Sequence, residues 1–196
     1  MVVLYFNHLM LTEQIKEELE RLPRHTITLL LLPASHYQKA TIAVARYWLE
    51  TSPKTTGIYV SLNQSYQNLL NILRKGKVDH NRLFLIDCVT RPVVGVPNCQ
   101  FLKDQNPADL GAVISLILQK HRPAFFVLDS VNALVPFYQK EQVFPFVHFL
   151  VRKLRSFEGS ILLAIADGPN RTLVTELSAL CDHVINISTE RERENI

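Results

Sequence analysis

The stretch TITLLLLPASHYQKATIAVARYWLE, Thr26 to Glu50, decides the fold class. Thr26 to Leu32 is almost continuously apolar, without the alternation of a half-buried strand. Such a run suits a strand covered on both faces, as in a parallel sheet clad by helices. After the polar segment that begins at Pro33, the chain predicts a helix over about Lys39 to Glu50.

The same alternation continues on both sides. Gly57 to Ser61, Leu83 to Ile86, Ala124 to Leu128, Ile161 to Ile165 and Val184 to Ile187 are further short apolar runs. Met1 to Phe6 is read as an additional outer strand. Between the runs the period changes to 3.6. From Gln64 to Lys75, Tyr66, Leu69, Leu70 and Leu73 share a face. From Pro107 to Gln119, Leu110, Val113, Ile114, Ile117 and Leu118 do so, with Asn106 as N-cap and Pro107 opening the helix. Thr12 to Leu22 predicts a leading helix, and Glu141 to Phe157 another, in which Pro145 must lie in the first turn or cause a kink. Strands alternating with helices give a doubly wound, mostly parallel α/β sheet in three layers. The reading is one domain over residues 1–188, followed by a charged tail at 189–196.

Composition narrows the function classes. Hydrophobic residues form 47% and charged residues 20% of 196, and no eighteen-residue apolar run could span a bilayer. The N-terminus lacks a basic segment and cleavage site, so the expectation is a soluble cytoplasmic protein without a membrane role. Cys88, Cys99 and Cys181 are scattered and odd in number, which fits neither a disulfide framework nor a zinc site. The seven histidines show no metal-ligand spacing, so no metal site is expected. No G-x-S-x-G elbow is present, which argues against triad hydrolase chemistry.

In such a sheet, ligands gather at the carboxyl ends of the strands. After Leu32 the residues Pro33-Ala34-Ser35-His36-Tyr37-Gln38-Lys39-Ala40-Thr41 occupy the frame of a phosphate-binding loop. A working loop, G-x-x-x-x-G-K-[ST], uses glycines so that backbone N–H groups surround the phosphates. Pro33 and Gln38 stand at the two glycine positions and Ala40 at the Mg²⁺-binding hydroxyl, with Thr41 next to it. Lys39 keeps the lysine position. His36 is a candidate anion contact at the helix start. Asp129, ending the run AFFVLD, stands where a carboxylate would bind Mg²⁺, and equally where it would cap the next helix. Asp167-Gly168 reads as a turn. The deciding observation is whether Pro33 to Lys39 wraps an anion or is collapsed, with Tyr37 or Gln38 in the pocket.

With these pieces in order, the chain from about Thr26 to Ser188 resembles the RecA superfamily, and within it the circadian-clock-like (KaiC-like) ATPases. Ile58-Tyr59-Val60-Ser61-Leu62-Asn63-Gln64 is similar to that group's LYVSLEE, and Phe126-Val127-Leu128-Asp129-Ser130-Val131-Asn132-Ala133-Leu134 to its VVIDSLTAL. Phe84-Leu85-Ile86-Asp87 matches its strand ending in aspartate, and Leu180 to Ile187 its LADGVI-L segment. The resemblance implies a RecA-like P-loop NTPase fold. It also implies acidic residues after the second strand that activate water, where this chain has the amides Asn63 and Gln64.

The expected function is therefore a catalytically inactive pseudo-ATPase, with no catalytic residues and no cofactor, acting as a protein-binding, regulatory or scaffold module. Its expected partner is another protein or further copies of itself. One alternative is a nucleotide sensor without hydrolysis, holding ATP and Mg²⁺ through Lys39, Thr41 and Asp129. Another is a DNA-binding recombinase paralogue using Arg152, Lys153 and Arg155, a basic stretch that also reads as a solvated helix face.

Overall fold

The N-terminal apolar segment is helical, not a strand: α1 (Val2–Arg21) begins ten residues before the expected leading helix and absorbs the expected outer strand. Its Leu11, Ile15 and Leu19 are buried at intervals of four, the helical repeat that continues the segment inward. The computed structural model describes residues 2–91, 95–102, 107–135, 140–166 and 171–187.

After α1 come β1 (Ile27–Leu32), α2 (Tyr37–Glu50), β2 (Gly57–Ser61), α3 (Tyr66–Lys75), β3 (Leu83–Asp87) and β4 (Cys99–Phe101). They are followed by α4 (Pro107–Lys120), β5 (Phe125–Asp129), α5 (Lys140–Leu154), β6 (Ser160–Ala166), α6 (Arg171–Ser178) and β7 (His183–Asn186). The seven strands form one sheet in the order β4-β3-β2-β5-β6-β1-β7, every pair parallel. The six expected runs are all strands. The short β4 and the eight-residue α6 are additions to the sequence reading. Pro145 sits as the sixth residue of α5, inside the helix and past its first turn.

The two-residue pleat sorts each strand between two apolar layers. Leu29, Ile58, Val60, Phe126, Leu128, Leu163 and Ile165 face the layer holding α4, α5 and α6. Leu30, Leu32, Tyr59, Phe125, Val127, Leu162 and Ala164 face α1, α2 and α3. This double burial explains why the runs carry no polar alternation. Packing fixes residue size too: a Cβ on Gly57 would stand 2.2 Å from the Phe125 ring.

Of the seven buried polar residues described, Ser61, Asp87, Asp129 and Ser130 lie at the carboxyl ends of strands. Ser61, Asp87 and Asp129 are the last residues of β2, β3 and β5, and all three are buried. The register places Ser61 between Asp87 and Asp129. The topology thus gathers the buried carboxylates Asp87 and Asp129 at the carboxyl edge of the sheet, beside the loop that follows β1.

Candidate functional site

The loop after β1 is short because α2 begins early. Tyr37, Ala40, Thr41, Val44 and Ala45 are buried at helical spacing, so the apolar face of α2 already starts at Tyr37. Four residues, Pro33 to His36, remain as a turn, closed by the His36 N–H donating to the Pro33 carbonyl at 2.9 Å. Gln38, Lys39 and Thr41 are helical. The Tyr37 ring packs beneath the turn, and its hydroxyl donates to the Ala164 carbonyl on β6 at 3.1 Å. Burying the ring stabilises by roughly 2 kcal/mol, and the hydroxyl bond satisfies its polar end. The segment is thus collapsed, with Tyr37 in the space.

Asp129 forms the floor of the site. Tyr59, pointing from β2 to the α2 side, hydrogen-bonds Asp129 Oδ2 at 2.6 Å and Thr41 Oγ1 at 3.0 Å. With the Tyr59 proton on Asp129, the single Thr41 proton has two acceptors within reach, the Tyr59 hydroxyl oxygen and the Gln38 carbonyl at 3.2 Å. Asp129 Oδ1 is buried and receives no hydrogen bond from the described residues. Burial raises the Asp129 pKa from its ordinary 3.8 to about 6, against the hydroxyls of Tyr59 and Tyr37, which lower it. Both phenols are themselves pushed well above 10, first by burial and next by the Asp129 charge. They stay neutral across the physiological range.

The neighbouring strand ends are tied down. Asp87 accepts from the Tyr66 N–H at 2.7 Å, fixing the start of α3, and from the N–H groups of Val89 and Thr90 at 2.7 and 2.8 Å. Ser61 closes the loop after β2 by accepting from the Gln64 N–H and donating to the Gln64 carbonyl. The Gln64 side-chain oxygen accepts from the Asn68 amide. Between the turn after β1, the loop after β2 and the end of β5 lies a cleft of about 360 Å³ lined by Ala34, Ser35, Tyr37, Gln38, Asn63, Gln64, Asp129 and Ser130.

The structure brings Thr41 and Asp129 together through Tyr59, and leaves Lys39 exposed and outside the described lining of the cleft. His36 stands at the N-cap of α2 with no side-chain cap bond, its Nδ1 2.8 Å from Ser35 Oγ. In the basic stretch, Arg155 pairs with Asp182 at 3.3 Å and donates to the Leu180 carbonyl at 3.0 Å. Lys153 lies over the Phe149 ring at 5.5 Å, and Arg152 is exposed. Asp167-Gly168, Asn106 and the tail at 189–196 lie outside the described residues. The three cysteines are free, and burial pushes each thiol up to about 12. Among the described residues no cluster of three or more His, Cys, Asp or Glu could hold a metal ion, and no helix is long and apolar enough to cross a membrane.

Tyr59 is the residue of the candidate site that motif reading missed. Its signal was a phenol inside an otherwise aliphatic strand, since a buried hydroxyl requires a polar partner.

Comparison with known proteins agrees with this architecture. The KaiC-like protein PH0186 from Pyrococcus horikoshii OT3 superposes with a TM-score of 0.66 at 11% identity, covering 86% of this chain and 74% of its own. The uncharacterized protein PH0321 from Pyrococcus horikoshii, crystallised in complex with an unknown peptide, gives 0.64 at 13% identity, covering 89% and 82%. At such identities the likeness is one of fold, and that fold is RecA/KaiC-like. No curated protein matches the sequence. A family model matches residues 28–187, most of the chain, so this protein belongs to the family of unknown function DUF7504.

Proposed function

We propose that this chain is a RecA/KaiC-like domain without NTPase turnover that works as a protein-binding or regulatory module. The observation that carries the reading is the Tyr37 ring beneath the turn after β1, where a phosphate cradle would need open backbone. Three further features support it. The His36 N–H is turned back onto Pro33, Lys39 is exposed and outside the described lining of the cleft, and Thr41 bonds to Tyr59 and its own helix. The described residues therefore do not fit a Mg²⁺–nucleotide. Phosphoryl transfer depends on positioned donors and cations, and the amides Asn63 and Gln64 cannot take a proton from water. The neighbour crystallised with a peptide suggests protein binding as the use of such a scaffold.

The test is ATP hydrolysis by the purified chain with saturating Mg²⁺–ATP, beside the Asp129→Asn variant. The reading expects phosphate release at the background rate in both. Turnover by the wild type that Asp129→Asn abolishes would overturn it.

A further inference from the structure

The cleft at the strand ends has the wrong sign for a phosphate. Among its described lining residues Asp129 is the one charged side chain, and the others are amides, hydroxyls, Tyr37 and Ala34. The α2 N-terminus contributes about half a positive charge, less than the full negative charge of the carboxylate. Asp129 is 2% exposed, and its Oδ1 has no donor among the described residues. Oδ2 is held by Tyr59 from the α2 side, and the Tyr37 hydroxyl gives its proton to Ala164. A buried carboxylate oxygen without a donor is costly, and a charged donor compensates it most strongly.

We infer that this cleft binds a cationic side chain, an arginine or lysine presented by a partner peptide, with Asp129 as the counter-charge and Gln38 and Asn63 as polar walls. The inference rests on the protein-binding reading above and names the chemistry of the partner. Oδ1 is itself buried, so contact with it requires the cleft lining, to which the partly exposed Gln38 belongs, to move. An arginine suits the site because its planar fork reaches the carboxylate and an amide carbonyl together. The titratable groups facing Asp129 are Tyr37 and Tyr59, both neutral, so the carboxyl alone sets the pH dependence.

The experiment is calorimetry and amide-shift mapping on the full chain at pH 7.5. The probes are a blocked five-residue alanine peptide with central arginine, the same peptide with lysine or citrulline, ethylguanidinium, and inorganic phosphate. The expected result is binding of the arginine and lysine peptides at least tenfold tighter than citrulline, with shifts at Asn63, Gln64 and Ser130. Binding weakens at least tenfold in Asp129→Asn, in the surface variant Asn63→Lys, and in wild type at pH 5. Equal binding of arginine and citrulline peptides, an unchanged Asn63→Lys, or no heat at millimolar peptide overturns the inference. So does phosphate binding, and ethylguanidinium binding as tight as the peptide overturns the peptide source. ATP turnover sinks the parent reading instead, whereas silence toward peptides without turnover sinks this inference alone.

Discussion

The Tyr59 hydroxyl lies 2.6 Å from Asp129 Oδ2, joining the centre of β2 to the end of β5. Among the described residues the other oxygen of this carboxylate, Oδ1, is buried without a hydrogen-bond partner. Tyr59→Phe removes that donor with little change of shape. The variant is expected to lose about 1–3 kcal/mol at pH 7.5, the cost of a buried acceptor left unsatisfied. The loss shrinks at pH 4.5, where the native carboxyl is protonated. Urea unfolding at both values checks this, and an equal loss at both contradicts it.

Asp129 also sets a pH dependence of stability. Its pKa is raised in the folded state, from 3.8 to about 6. The native state therefore holds the proton more tightly than the unfolded chain. The contribution is fully present below pH 3.8 and is lost as pH rises through about 6. Asp129→Asn keeps an acceptor for Tyr59 and has no such slope. Its stability relative to wild type is expected to rise by up to about 3 kcal/mol between pH 4 and pH 7.5. Parallel unfolding curves across that range would contradict the assignment.

What the sequence made legible follows from burial. Six strands could be read because burial on both faces leaves nothing polar inside them, and the strand-end aspartates because they break those runs. Met1 to Phe6 misled because an apolar run at a chain end looks like a strand until Leu11, Ile15 and Leu19 extend it at helical spacing. β4 was invisible: of Cys99, Gln100 and Phe101, Cys99 alone is buried. The loop after β1 was read through an eight-residue template. The spacing of Tyr37, Ala40, Thr41, Val44 and Ala45 already placed the helix start at Tyr37. The partner of Asp129 was not legible, because Tyr59 lies seventy residues away and meets it through sheet register alone.

Asp87 is a structural cap rather than a spare acid. It accepts three backbone N–H groups, from Tyr66, Val89 and Thr90. Asp87→Ala leaves all three without that acceptor and is expected to cost about 3 kcal/mol. Asp87→Asn retains one side-chain oxygen and should cost roughly half as much. Thermal unfolding of the two variants checks the order, and a neutral alanine variant would contradict the capping role.

Arg155 is held by local structure. Asp182 Oδ2 accepts the Ile27 N–H at 2.8 Å at the start of β1, and Oδ1 meets Arg155. The pair is partly exposed, so its ionic part is worth little. Arg155→Ala is expected to cost less than about 1 kcal/mol, and Asp182→Ala about 1–2 kcal/mol because a backbone donor is orphaned. Urea unfolding that reverses this order would mean that the ion pair, not the backbone bond, holds the junction.

Tyr37 makes a further expectation specific, because it separates loss of glycines from loss of space. Restoring the phosphate-loop pattern with Pro33→Gly, Gln38→Gly and Ala40→Ser supplies backbone freedom and the Mg²⁺ hydroxyl. A glycine inside α2 costs about 1 kcal/mol. The buried Tyr37 ring stabilises by roughly 2 kcal/mol, and its bond to Ala164 adds about 1 kcal/mol, so the helix start and the collapsed turn persist. The triple variant is expected to give no calorimetric heat with Mg²⁺–ADP at millimolar ligand. Adding Tyr37→Gly removes the anchor and empties the space beneath the turn, and binding in the high micromolar to millimolar range is then expected. Equal binding by both variants would show that the glycines alone were limiting. Silence in both would show that the exposed position of Lys39, not the Tyr37 ring, excludes the nucleotide.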